Sequence, residues 1–213
     1  MTADKKFSSK EFIKFGWNTT KKNFWFLFVM FLIPQLLSSL TSFTTSSIYA
    51  RNEMFLSLFG FLITVVGWVI LIELSYAQTV ILLKFVDNKK PRLSDLYAHF
   101  DPLMLSRFFL ISIFYGLAVL IGLLLFIVPG IYIAIRYCYA IFVFVDRKTS
   151  VAGSFAKSSE ITAGIKWKLF GFGILLALII FAGITAFGIG ILVALPIVYL
   201  AQVYAYRKLS SHS

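Results

Sequence analysis

Six apolar runs, each long enough or nearly long enough to cross a bilayer, leave this 213-residue chain few folds other than a membrane bundle. A helix rises about 1.5 Å per residue, so about 20 apolar residues cover a hydrocarbon core about 30 Å thick. The runs are 24–40, fading into a Ser/Thr-rich stretch at 41–47, then 54–86, 107–128, 131–145, 169–187 and 191–206. The second would be about 50 Å long, so it must tilt or project from the core. Composition excludes a water-soluble fold. The chain is 60% hydrophobic, 18% aromatic and 14% charged, whereas soluble domains are about 45–50% apolar and about 25% charged. Lipid must cover part of the surface. The first run is long and no convincing small-x-small cleavage site follows it, so it reads as a retained span.

The basic residues set the orientation. The net charge is +11. Lys5, Lys6, Lys10, Lys14, Lys21 and Lys22 precede the first run. Lys84, Lys89, Lys90, Arg92 and Arg107 follow the second. Arg147, Lys148, Lys157, Lys166 and Lys168 follow the fourth, and Arg207 and Lys208 close the chain. Of the 20 basic residues only Arg51 and Arg136 fall elsewhere. Cations in every alternate segment fit the positive-inside rule and place both termini in the cytoplasm, with the plasma membrane as the expected location. Confinement to short segments between apolar runs argues against a nucleic-acid partner.

Pro129-Gly130 separates runs three and four, and Gly188-Ile189-Gly190 separates five and six. Both break helices and permit tight turns. Amphipathic segments at 7–22, 93–100 and 151–166 read as interfacial helices, with Trp17, Trp25 and Trp167 near headgroup level. The expected fold is therefore one all-α polytopic domain over 1–213, with six transmembrane helices as three hairpins, each preceded by an interfacial helix. A shift of 142 positions aligns the first segment with the third without gaps. Ile13 meets Phe155, Gly16 meets Ser158, Thr20 meets Thr162, Trp25 meets Trp167 and Phe28 meets Phe170. Internal repeats of this kind are common in transporters, though not confined to them.

The stretch 128–170 carries a recognisable pattern: Pro129, Gly130, Ile131, Arg136, Tyr137, Asp146, Ser158, Thr162, Gly164 and Trp167, with Pro196, Tyr206 and Leu209 further on. It resembles the membrane domain fused to some glycerophosphodiester phosphodiesterases and the stand-alone six-helix bacterial relatives of that domain. The resemblance covers about half of the chain by motif and nearly all of it by span layout. It departs at Ser154-Phe155, where that family often has Ala-Leu, and at Ser159, where Trp is usual. It implies a multi-pass membrane protein of uncharacterised role. The phosphodiesterase domain is missing, so its activity does not carry over.

Two charges fall at membrane depth, Glu73 in the second run and Arg136 in the fourth. Helical rise places Arg136 about 7–8 Å from one boundary and Glu73 about 16–17 Å from the other. In a core about 30 Å thick their depths differ by about 6 Å, within reach of an Arg side chain. The pair reads either as a salt bridge between spans or as an ion- or proton-linked site. Arg136 could also snorkel to headgroups alone. Gln35, Gln78 and Gln202 fit helix-to-helix hydrogen bonds or a cavity lining. Ala118 with Gly122, and Gly173 with Ala177, have small-xxx-small spacing that suits close packing. Asp95, His99 and Asp101 read as solvated interfacial residues. The single Cys138, inside an apolar run, excludes an internal disulfide and reads as a small core residue.

No catalytic, metal or nucleotide motif stands out, and no cofactor is expected. The reading that fits best is a non-catalytic membrane protein that packs with lipid, a protein partner or a second copy. Its basic face either only sets orientation or also holds anionic headgroups. The alternative is a small transporter or channel using Glu73 and Arg136. A membrane-embedded enzyme would need clustered His and carboxylates, and the chain has two His.

Overall fold

The structure, a computed structural model, describes residues 7–49, 54–96, 101–185 and 190–211. Among them every regular element is helical: α1 (Ser9–Lys22), α2 (Phe24–Tyr49), α3 (Met54–Val86), a 3₁₀ turn (Leu93–Leu96), α4 (Pro102–Leu125), α5 (Ile127–Arg136), α6 (Ala140–Arg147), α7 (Val151–Thr162), α8 (Lys166–Thr185) and α9 (Ile191–Ser210). Five stretches of the described residues are long and apolar enough to cross a membrane: Phe24–Ile48, Ser57–Val86, Pro102–Leu125, Ile127–Arg147 and Lys166–Thr185. Their outward faces are apolar and exposed, as at Leu36, Phe61, Leu124 and Phe181. So large an apolar surface requires hydrocarbon around it.

α9, the expected sixth span, is not one of these five. Gln202, Tyr199, Tyr204, Tyr206, Arg207 and Lys208 lower its mean hydropathy. Its position explains why that is tolerable. Ile197, Leu200, Ala201, Val203, Ala205 and Tyr206 are buried, and α1, α2, α3, α7 and α8 pack around the helix. A helix sheathed by protein need not match lipid on all sides.

Several boundaries differ from expectation. The Ser/Thr stretch after residue 40 does not end the first span: α2 runs on to Tyr49. The hydroxyls of Thr41, Thr44 and Thr45 donate to carbonyls four residues back at 2.8 Å, so they add no unsatisfied polar group. The turn expected at Pro129-Gly130 lies earlier, at Phe126, which is extended (φ −160°, ψ 147°). Pro129 sits in the first turn of α5, where its missing N–H leaves no gap. Gly130 faces Gly122 and Leu123 of α4 so closely that a Cβ on either glycine would collide. The fourth span, expected as one helix over 131–145, is two helices broken at 137–139. Of the interfacial helix expected over 93–100, the described part, Leu93–Leu96, is a 3₁₀ turn held by Asp95 on the Lys84 ammonium (3.0 Å) and the Arg92 N–H. Residues 97–100, His99 among them, lie outside the described residues. The next helix starts at Pro102 rather than 107, because Asp101 caps it by accepting from the Leu103 and Met104 N–H groups. The glycine turn at 188–190 is outside the described residues except for Gly190.

α1 is amphipathic and capped by Ser8, whose side chain accepts from the Glu11 N–H. It lies along α9 rather than out on its own: Phe12 is fully buried and packs edge-on against Phe172 and Tyr204. The 142-residue shift also superposes element boundaries. N-cap Ser8 maps to N-cap Ser150, and the starts of α1 and α2 map to those of α7 and α8.

Gly16 brings the backbones of α1 and α9 together, and a Cβ there would strike the Ile197 carbonyl oxygen. Gly16→Ala should therefore destabilise by about 1–3 kcal/mol of overpacking, outweighing a gain in helix propensity of about 1 kcal/mol. Gly116→Ala, with open space around it, should be neutral or stabilising. Unfolding of the solubilised protein in a denaturing detergent measures both.

Candidate functional site

The break between α5 and α6 is the most constrained polar point in the bundle. A helix interruption leaves backbone groups without intrahelical partners, and hydrocarbon offers none. α7 supplies them. The Ser158 hydroxyl donates to the Arg136 carbonyl (3.1 Å) and accepts from the Tyr139 N–H (3.2 Å). The Thr162 hydroxyl lies 3.1 Å from the same carbonyl, with the Ser158 carbonyl also in reach. Both residues are fully buried. α7 was expected as an interfacial helix over 151–166. It is shorter, ends at Thr162, and works as a brace against the broken helix. Gly164 at φ +79° then turns the chain into α8, and the Trp167 ring is 85% exposed. Ser159 and Phe155 are both engaged here. Ser159 accepts from Arg136 Nε at 2.8 Å, and Phe155 packs edge-on against Tyr137.

A second cluster ties the basic ends of the helices together. Arg207 on α9 grips Asp87, just past α3, through two bonds (2.8 and 2.7 Å), and Asp146 on α6 through a third (2.6 Å). The Tyr206 hydroxyl also donates to Asp146 at 2.8 Å. Lys208 pairs with Glu11 of α1, to which the Tyr204 hydroxyl also donates. The Lys208 ammonium holds the Glu11 carboxyl below its ordinary range. That contribution is complete above the usual carboxylate pKa and is lost as pH falls through the lowered value. The start of α1 and the ends of α3, α6 and α9 therefore share one end of the molecule.

Glu73 and Arg136 do not meet as an ion pair. Arg136 bonds Ser159 and lies 5.4 Å from the centroid of the Tyr137 ring, and Glu73 is half-buried on α3. Depth alone does not fix rotation about the helix axis, and the break after Arg136 directs its side chain to Ser159 on α7. The glutamines divide. Gln78 donates to the Met30 carbonyl at 2.9 Å, which ties α3 to α2, and Gln35 is exposed. Gln78 and Gln202 both line an interior cavity of about 570 Å³ between α3, α4, α6 and α9. Its wall carries Tyr115, Tyr199, Ser112 and Cys138 among aliphatic and aromatic side chains. It reaches the outer surface at Trp68 and Phe109, both exposed. The sequence signal for this site was the isolated amide in an apolar run, and that signal does not say which amides share a wall.

Ser158→Ala should cost about 1–3 kcal/mol, because it orphans a buried N–H and removes one of two donors to a carbonyl. Thr162→Val should cost less, since the Ser158 hydroxyl stays on that carbonyl. A double-mutant cycle should show coupling between them. Arg207→Ala should cost at least about 1.5–3 kcal/mol, the range for hydrogen bonds to charged groups. Arg207→Lys should recover only part of it, since an ammonium cannot fork onto two carboxylates. Chemical unfolding in detergent micelles reads out all of these.

Comparisons with protein-family models, with curated proteins and with solved structures return no match.

Proposed function

We propose that this chain is a non-catalytic, six-span protein of the plasma membrane that holds a lipid in its interior cavity. α9 is the sixth span, sheltered at the centre, and both termini face the cytoplasm. The cavity carries the reading. At about 570 Å³ it is within the usual range for small-ligand sites. It combines apolar walls with a few amides and hydroxyls, as an acyl chain with a polar head requires, and it reaches the surface where lipid lies. The motif residues support a structural rather than chemical role for the motif: Ser158 and Thr162 hold a broken backbone, and Asp146 holds Arg207 and Tyr206. The resemblance to the membrane part of phosphodiesterases points the same way, since it carries no catalytic residues with it.

A photoactivatable phospholipid tests this in reconstituted vesicles. Adducts are expected on the cavity wall at Tyr199 and Gln202, and Gln202→Phe should abolish them. Adducts confined to outward faces such as Leu58 and Leu124 would overturn the reading.

A small transporter or channel is the second reading, favoured by the discontinuous α5–α6 span and the 142-residue repeat, both familiar from transporters. It predicts flux in vesicles that Glu73→Gln changes. An effect of Glu73→Gln on thermal stability alone assigns that residue to packing.

A further inference from the structure

Apart from the interior cavity, a polar groove of about 680 Å³ lies between α1 and the end of α3. Three cations line it: Lys22 in the last turn of α1, and Lys89 and Lys90 just past α3. All three are exposed. Local geometry fixes where the latter two sit. α3 ends with Asn88 in the left-handed region (φ 56°), the Asn88 N–H bonded to the Phe85 carbonyl and the Lys89 N–H to the Lys84 carbonyl. This paired closure sets the direction of the chain past the helix, and Pro91 keeps it from resuming. The other wall is set by Asn23, whose side-chain amide donates to the Thr19 carbonyl at the end of α1.

Among the described residues, no carboxylate lines this groove. Among the described residues, the carboxylates at the basic end are engaged elsewhere: Glu11 with Lys208, Asp87 and Asp146 with Arg207, Asp95 with Lys84, Glu160 with Lys157, and Asp101 as a helix cap. No ion pair forms to Lys22, Lys89 or Lys90 among those residues. The floor is aromatic, with Phe15, Phe26 and Phe85, the last two packed edge-on at 5.6 Å. Trp25, next to Phe26 in sequence, is 75% exposed, as a headgroup-level anchor would be. Cations over an aromatic floor, at a bundle end where lipid and water meet, suit a phosphate joined to an apolar tail better than free phosphate.

We infer that the groove of Lys22, Lys89 and Lys90 is a binding site for the headgroup of an anionic phospholipid from the cytoplasmic leaflet. The three ammonium groups take the phosphate and the phenyl floor takes the glycerol and the first methylenes. The site is separate from the interior cavity, so either can fail without the other.

Native mass spectrometry of the full chain in detergent micelles tests it, with dioctanoyl phosphatidylglycerol, dioctanoyl phosphatidylcholine and inorganic phosphate as probes. Saturable binding of phosphatidylglycerol is expected. The variant K22Q/K89Q/K90Q should weaken it by about fivefold per lysine at unchanged melting temperature. If that variant does not fold, each single substitution should still lose about fivefold. The inference is overturned by unchanged affinity in these variants, by equal binding of phosphatidylcholine, or by an equal loss in the charge-matched variant K10Q/K14Q/K168Q. Displacement by inorganic phosphate at the same concentration would also overturn it, marking a free-anion site.

Discussion

Backbone polar groups in hydrocarbon must be satisfied by the protein itself, and the break after Arg136 is where that requirement shapes the whole molecule. Two hydroxyls from α7 meet it. They can do so only because α7 turns back along α6 and ends beside the break, and because Gly164 then redirects the chain into α8. The same rule explains why α2 carries a run of Ser and Thr without losing its helix. At the start of α4, the Asp101 carboxylate likewise takes up the free Leu103 and Met104 N–H groups. At the break and at the start of α4, a short polar side chain takes the place of water on a free backbone group; in α2 the hydroxyls are satisfied by the helix itself.

The second organising element is charge. Arg207 joins the ends of α3, α6 and α9 through two carboxylates that come from distant parts of the chain. Arg fits this role because its fork presents several donors in fixed geometry. The pairing uses up acidic groups in a chain with 9 Asp and Glu against 20 Lys and Arg. A surplus of cations is the remainder.

Apolar runs and the spacing of lysines made the helical membrane architecture legible without coordinates, because both reflect transfer energies that act residue by residue. Ser158, Thr162, Asp146 and Gly164 were also visible as a pattern, but their work was not. The sequence places a hydroxyl at 158, and only the fold shows that its partners are the Arg136 carbonyl and the Tyr139 N–H. Glu73 and Arg136 illustrate the opposite case. Matching depth suggested contact, yet depth is one coordinate of three, and the interruption at 137–139 carries Arg136 toward Ser159. Turn position misled for a similar reason. Pro129 looked like a helix breaker, but proline is well suited to the first turn of a new helix, so the reversal falls three residues earlier.

α9 occupies the middle of the bundle although it is the last of the described helices to leave the ribosome. The contacts that α1, α2, α3, α7 and α8 make with it can therefore form only once it has been made. Glu11 and Lys208, which close the two ends of the assembly, are 197 positions apart. Contacts so remote in sequence form late.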